Sequence, residues 1–138
     1  MNKEEARVMR AQMEATFAAA ASHVDADAVI RAQALCAAWE PGVYQLGEVR
    51  TCEGVPYRCC QAHDSTANPG WTPTTERALW APYHGTTPET ALPWAAPTGA
   101  HDMYKAGECM IWTDGTVKRC RQDTNFSPTD YAQAWEDA

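Results

Sequence analysis

Tyr44-Gln-Leu-Gly-Glu-Val49 and Tyr104-Lys-Ala-Gly-Glu-Cys109 are two versions of one stretch of sequence. The residues that follow each version also correspond in kind and order. After the first come Glu53-Gly54, Tyr57-Arg-Cys59, Trp71-Thr-Pro73 and Trp80; after the second come Asp114-Gly115, Lys118-Arg-Cys120, Phe126-Ser-Pro128 and Trp135. The chain therefore contains an internal duplication of a small unit rich in aromatic residues.

Each copy carries the pattern of a β-hairpin. Val49–Cys52 and Val55–Cys59 flank Glu53-Gly54, and residues 109–113 and 116–120 flank Asp114-Gly115. Asp-Gly favours a tight primed turn, so the second hairpin carries the stronger signal. A two-residue turn there would place Cys109 directly opposite Cys120, where a disulfide could form in an oxidising environment. We leave open whether it does.

The N-terminal part predicts helices. Good helix formers fill residues 3–21 and give one apolar stripe, and a second helix is predicted from an N-cap at Asp25 to a stop at Pro41-Gly42. These helices either pack as a hairpin on the β units or, through the first helix, assemble the chain into a homo-oligomer or attach it to a larger particle. The stripe consists of Ala6, Met9, Met13, Phe17 and Ala20.

The organisation that follows is α+β, with an N-terminal helical segment and two duplicated antiparallel β modules of about three short strands each. We predict a helical attachment or oligomerisation segment at residues 1–37, a first unit at 38–83, a linker at 84–93 and a second unit at 94–138. The linker assignment rests on its glycine, threonines and prolines. Six Trp, five Tyr and two Phe supply the core that the scarce aliphatic residues cannot.

Composition argues against several classes of partner. A net charge of −7 would repel a nucleic-acid backbone. No stretch approaches the roughly 20 apolar residues of a membrane span. Charged residues precede the alanine-rich run at 15–21, so we predict no signal peptide, synthesis in the cytosol and reduced cysteines.

Catalytic and metal chemistry also find little support. Glu48 and Glu108 form a repeated carboxylate pair, as in glycoside hydrolysis, but each follows a glycine at the start of a strand, which favours a turn or solvated position. Adjacent Cys59 and Cys60 point to opposite faces of a strand, so they cannot share a zinc ion with a nearby Cys52 or His63 without a bulge. We predict a protein that is not an enzyme and has no metal and no cofactor.

The order Trp39-x-Pro-Gly-x-Tyr44, Gly54-x-x-Tyr57-x-Cys59, Trp71-x-Pro73 and Trp80 resembles the family 5 and 12 carbohydrate-binding modules, also called chitin-binding type 3 domains. The whole layout is similar to small proteins from prophage tail regions, with a helical N-terminus, one module and a second, degenerate module. The resemblance covers residues 38–138. It implies a compact unit of about three antiparallel strands around Trp and Tyr residues.

This chain departs from the family pattern at the residues that bind the sugar. Chitin-binding members carry adjacent exposed aromatic residues after the Tyr-x-Cys strand, whereas this chain has Gln61-Ala62 and Gln122-Asp123 there. A bound glycan would need other rings, or those rings serve packing instead. The candidates are Trp71, Tyr83, Trp112 and Phe126. The rings at framework positions, which we assign to the core, are Tyr44, Tyr57, Trp80, Tyr104 and Trp135.

The resemblance implies a non-catalytic binding protein of a phage tail or baseplate that contacts host-surface or cell-wall polysaccharide. Its other partners would be phage tail proteins, and its final location would be the virion. The alternative is a structural or assembly protein of the tail that keeps the module fold but has lost sugar binding.

Overall fold

The computed structural model describes residues 26–138, which form three small β-sheets and one short helix. The first sheet pairs two strands and the second has three, all antiparallel. The third has four strands, with only its edge strand parallel to its neighbour. The sheets are β1 (Val43–Tyr44) with β4 (His63–Asp64); β2 (Val49–Cys52), β3 (Val55–Cys59) and β5 (Trp80–Pro82); and β6 (Leu92–Pro93), β7 (Cys109–Ile111), β8 (Val117–Cys120) and β9 (Trp135–Asp137).

The described helix, α1 (Ala26–Arg31), is shorter than predicted. A 3-10 turn at Gln33–Leu35 follows it, and Ala38 then forms a parallel bridge with Thr51. The chain must become extended to make that bridge, so the helix cannot continue to Pro41. The apolar stripe at residues 6–20 and the predicted N-cap at Asp25 lie outside the described residues.

The first hairpin confirms its prediction. The strands β2 and β3 have the predicted bounds, and Cys52 pairs with Val55 across Glu53-Gly54. Both turn residues have positive φ, 52° for Glu53 and 78° for Gly54, which identifies a tight primed turn.

The second hairpin corrects its prediction. Trp112 N–H donates to Thr116 O, and the loop closes over three residues with only Gly115 at positive φ. Asp114 favours this form because its carboxylate accepts hydrogen bonds from the Thr116 N–H and hydroxyl. The extra residue shifts the register, so Cys109 pairs with Arg119 rather than with Cys120. The predicted opposition of the two cysteines is wrong, and all six cysteines of the chain are free.

The three-stranded sheet and strands β7, β8 and β9 of the four-stranded sheet share a hydrogen-bond pattern. Three backbone hydrogen bonds recur, with donor–acceptor distances that agree within 0.1 Å. In the first unit they are Gly47 N to Cys59 O (2.9 Å), Cys59 N to Glu48 O (2.7 Å) and Cys60 N to Leu79 O (2.7 Å). The corresponding bonds of the second unit are Gly107 N to Cys120 O (2.8 Å), Cys120 N to Glu108 O (2.7 Å) and Arg121 N to Ala134 O (2.7 Å). Gly47 and Gly107 both adopt the left-handed conformation that this turn requires. The matching bonds support the repeat inferred from the sequence.

Aromatic rings occupy the core of each sheet, as the framework positions predicted. Tyr44 meets Trp80 edge to face at 5.0 Å, and Tyr104 meets Trp135 in the same way at 5.3 Å. All four side chains are buried together with Tyr57. Because an aromatic ring buries a large area, a few rings suffice for cores this small.

Residues 84–93, predicted as a linker, form an ordered junction. Gly85 bridges Cys109 in β7, and the strand β6 at the end of the segment joins the four-stranded sheet. Asp27 of α1 accepts hydrogen bonds from the Thr86 N–H (2.7 Å) and from the hydroxyl groups of Thr86 and Thr90. Burial alone would raise the pKa of Asp27, but these bonds lower it below its ordinary value.

Direct contacts also join the two larger sheets. Arg77 pairs with the fully buried carboxylate of Asp102 at 3.0 Å, Arg58 donates to the His101 carbonyl at 2.8 Å, and His101 Nε2 lies 2.7 Å from the Arg77 carbonyl. These bonds and the 84–93 junction together hold the sheets in a fixed relative position. No helix within residues 26–138 is long and apolar enough to cross a bilayer.

Candidate functional site

Trp71 presents its ring on the loop between β4 and β5. Its side chain is 37% exposed, and its backbone N–H donates to the Asn68 carbonyl at 3.0 Å. Pro73, two residues later, is buried and anchors the loop in the first unit. The indole is therefore accessible while the backbone beneath it is fixed.

Threonine hydroxyl groups stiffen this loop next to the ring. Thr75 Oγ1 donates to the Gly70 carbonyl at 2.6 Å and lies 3.0 Å from Thr72 Oγ1. Thr74 Oγ1 is also 3.0 Å from Thr72 Oγ1. An exposed aromatic ring beside hydroxyl groups matches what a sugar offers, since a pyranose has an apolar face and a polar rim. We call residues 68–76 the Trp71 loop.

Phe126 occupies the equivalent place in the second unit. Its side chain is 58% exposed and, like Trp71, it stands two residues before a proline. The Thr124 hydroxyl accepts from its N–H at 3.0 Å, and its carbonyl accepts from the buried Trp135 indole at 3.0 Å. Both copies thus expose one ring at the same point of the repeat.

The other two candidate rings lie elsewhere. Tyr83 is only 9% exposed and packs with Val29 and Val49 beneath α1, so it offers no open ring face. Trp112 is half-buried and packs against the core of the second unit. Of the four predicted platform residues, Trp71 and Phe126 present exposed rings and the structure does not bring all four together on one surface.

The positions of the expected family platform are exposed and lack aromatic rings. In the second unit, Gln122 donates to the Tyr131 hydroxyl at 2.9 Å and Asp123 accepts from Ala106 N–H at 2.9 Å. The side chains that are exposed there are Gln61, Ala62, Gln122 and Asp123. Gln122 and Asp123 thus make local hydrogen bonds, and none of the four positions offers a ring for stacking.

The exposure of two aliphatic side chains in the first unit was not predicted from the sequence. Val43 is 61% and Leu46 is 71% exposed. Both lie within two residues of the framework residue Tyr44. An aliphatic residue so close to a buried ring is normally assigned to the core. No feature of the sequence pattern distinguishes them from core residues.

The two repeated glutamates have structural partners. Glu48 pairs with Arg50 at 3.5 Å, whereas Glu108 accepts from Lys105 N–H at 2.7 Å and lies 3.1 Å from His84 Nδ1.

Burial raises the pKa of all six cysteines, that of Cys120 to about 11, so the thiols are protonated at neutral pH. Within residues 26–138 no three His, Cys, Asp or Glu side chains gather as a metal-binding group.

Comparison with known proteins identifies a part of the chain. Residues 35–81 match carbohydrate-binding module family 5/12, so the chain carries one such module. A segment of 43 residues is 51% identical to Streptogrisin-C from Streptomyces griseus. That segment is 30% of this chain and only 9% of Streptogrisin-C, so the similarity concerns a small region of that protein.

Proposed function

We propose that the carbohydrate-binding module at residues 35–81 binds a polysaccharide through the Trp71 loop. The observation that carries this proposal is the indole of Trp71, which is exposed on a hydrogen-bonded loop inside the matched region. A preorganised ring loses little entropy when a sugar stacks on it.

Binding by a single ring is weak, and the second unit can strengthen it with a second exposed ring. An affinity in the millimolar range corresponds to about −4 kcal/mol. Phe126 lies on a unit whose position is fixed by the Arg77–Asp102 pair. A polymer that reaches both rings therefore meets the second one at a high effective concentration, without any need to order a linker.

The test is retention on insoluble polysaccharides. Chitin, cellulose and bacterial cell wall are incubated with the protein, and the fraction bound is measured for the parent and for Trp71→Ala. We expect the variant to bind about tenfold more weakly, because it loses the stacking surface. Phe126→Ala is the matched control and should lose less, since Phe126 lies outside the matched module.

Both variants remove exposed rings, so their melting temperatures should stay within a few degrees of the parent value. Equal retention of the parent and Trp71→Ala on every polysaccharide would show that the Trp71 loop is not the binding surface.

The proposal extends to a setting in a phage tail or baseplate, where many copies would contact host-surface glycan. It rests on the sequence layout of a helical segment followed by two units. In that setting the chain is made in the cytosol and ends in the virion. Its gene neighbourhood provides the check: tail and lysis genes beside it are expected, whereas genes for secreted polysaccharide-degrading enzymes would contradict the setting.

An assembly protein without sugar affinity is the second candidate. The polar side chains at the family platform favour it, because Gln122 and Asp123 bond within the second unit. Cross-linking to tail components together with no retention on any polysaccharide would support this candidate over the first.

We also propose that the protein is not an enzyme. Glu48 and Glu108 each have a structural partner, Arg50 and His84 respectively. Glu48→Gln and Glu108→Gln are therefore expected to match the parent in a glycosidase screen, with no turnover in any sample. Activity of the parent that either substitution abolishes would refute this.

A further inference from the structure

A cleft of about 240 Å³ lies between the three-stranded and the four-stranded sheets. One wall comes from Tyr57 on β3 and Tyr83 after β5, and the other from Trp94 after β6. Glu53, on the exposed turn of the first hairpin, lies at the rim. Ligand sites are common at interfaces between units. The cleft is smaller than the roughly 300 to 1,000 Å³ that drug-sized ligands occupy, so it suits a smaller ligand.

Polar groups without partners line this cleft. His84 is 8% exposed, and its Nε2 makes no hydrogen bond within residues 26–138. The Tyr57 and Tyr83 hydroxyl groups also line the cleft; within the same residues neither is hydrogen-bonded and neither is a buried atom, so both are open to a ligand. Because buried polar groups are normally satisfied, the unpaired His84 Nε2 beside two accessible hydroxyl groups indicates an occupant that bonds to it.

The geometry of His84 specifies what the occupant must offer. Its Nδ1 lies 3.1 Å from a Glu108 carboxylate oxygen, and its ring stacks on Tyr104 at 3.8 Å. A proton on Nδ1 that is donated to Glu108 leaves Nε2 as a hydrogen-bond acceptor. The tyrosine hydroxyl groups can both donate and accept. The occupant must therefore offer a hydrogen-bond donor to Nε2, and hydroxyl groups suit the two tyrosines because a hydroxyl also both donates and accepts.

Charge and shape narrow the occupant further. The carboxylate of Glu53 at the rim and the net charge of −7 disfavour an anion. Trp94 contributes an aromatic ring; one of its faces stacks on Tyr104 at 5.1 Å, so the opposite face is the one on which an apolar sugar face can stack. We propose that this cleft binds one neutral pyranose ring, either a free monosaccharide or the end of a polysaccharide. The inference deepens the proposed carbohydrate binding and adds a site separate from the Trp71 loop.

A second cleft, of about 260 Å³, is a weaker candidate. Its charged lining includes Arg58, Asp102 and Glu108, and each of these already bonds to another residue of the chain. It shares Tyr83 and His84 with the first cleft, but no tryptophan is among the residues of 26–138 that line it, which is why the sugar is assigned to the first cleft.

The experiment is an NMR titration of the full chain with the methyl glycosides of glucose and N-acetylglucosamine, and with glucuronic acid as the anionic comparison. We expect at least one neutral glycoside to shift the Trp94 indole signal saturably, and glucuronic acid to leave it in place. Tyr57→Phe/Tyr83→Phe keeps both rings but removes both hydroxyl groups, and should weaken binding about tenfold. Glu53→Gln removes the carboxylate at the rim and should allow glucuronic acid to bind.

The Trp71→Ala variant separates this site from the proposed function. It should lose retention on polysaccharide while its Trp94 signal still responds to the glycoside. If the parent binds polysaccharide but no glycoside moves Trp94, the cleft proposal fails and the proposed function stands. If glycosides move Trp94 in a parent that no polysaccharide retains, the cleft stands and the proposed function fails. Equal affinity of the parent and the double tyrosine variant, with the variant folded, would also overturn the cleft site.

Discussion

The two units share their internal hydrogen bonds but differ in what surrounds them. The first unit closes its hairpin with a tight turn and exposes Trp71, whereas the second has a longer hairpin loop, exposes Phe126 and gains the extra strand β6. The shared part consists of buried rings and of turns that require glycine. The divergent part consists of exposed loops. The comparison therefore separates the residues that maintain the scaffold from those that are free to determine binding.

The contact between Arg77 and Asp102 has the largest expected effect on this comparison, because it couples the two units. Asp102 is fully buried and also accepts hydrogen bonds from the Thr98 and Gly99 N–H groups. Removing its charge in Asp102→Asn leaves the Arg77 guanidinium without its counterion. We expect a loss of about 3 kcal/mol in the free energy of unfolding at neutral pH, measured by urea denaturation.

The same variant gives a pH signature. Burial alone would raise the pKa of Asp102, but hydrogen bonds from Thr98 and Gly99 lower it below its ordinary value. Its contribution to stability is present above the unfolded pKa of about 3.9 and is lost as the pH falls through the lower folded pKa. The parent should therefore lose stability below about pH 4, and Asp102→Asn should lose less. Asp130→Asn is the control, because the exposed Asp130 carboxylate makes no hydrogen bond within residues 26–138. Identical pH profiles of the parent and Asp102→Asn would contradict this account.

A smaller effect distinguishes the two core tryptophans. The Trp135 indole N–H donates to the Phe126 carbonyl, whereas the buried Trp80 indole has no partner within residues 26–138. Replacement by phenylalanine leaves a cavity in both units, but only Trp135→Phe also breaks a hydrogen bond. Trp135→Phe should cost about 1 kcal/mol more than Trp80→Phe in chemical denaturation. An equal or larger cost for Trp80→Phe would mean that the two units differ in packing more than in hydrogen bonding.

The parts of the structure that the sequence predicted are those fixed by local chemistry. Repeated Tyr, Gly and Trp residues identified the scaffold, and the period of two located β2 and β3. The length of α1 could not be predicted, because the bridge from Ala38 to Thr51 depends on a tertiary contact. The cleft between the units escaped prediction for the same reason, since Tyr57, His84 and Trp94 meet only after the two sheets have packed.

The hairpin turns show how side chains can override a dipeptide preference. Asp-Gly predicted the tight turn in the second unit, but the Asp114 carboxylate bonds to Thr116 and stabilises the three-residue loop. Glu-Gly, the weaker signal, forms the tight turn in the first unit, with Glu53 at φ 52°.

The last prediction uses this contrast, and its expected effect is the smallest. Glu53 occupies the left-handed region, which asparagine adopts more readily than glutamate does. Glu53→Asn creates the Asn-Gly pair that is preferred in tight primed turns, so we expect a gain of about 0.5 kcal/mol in the free energy of unfolding. Asp114→Asn creates the same pair in the second unit but weakens the bonds to Thr116, so it should give no gain. If both variants gained equally in thermal denaturation, the dipeptide alone would decide stability at these turns, and the side-chain bonds of Asp114 would not explain why the two hairpins differ.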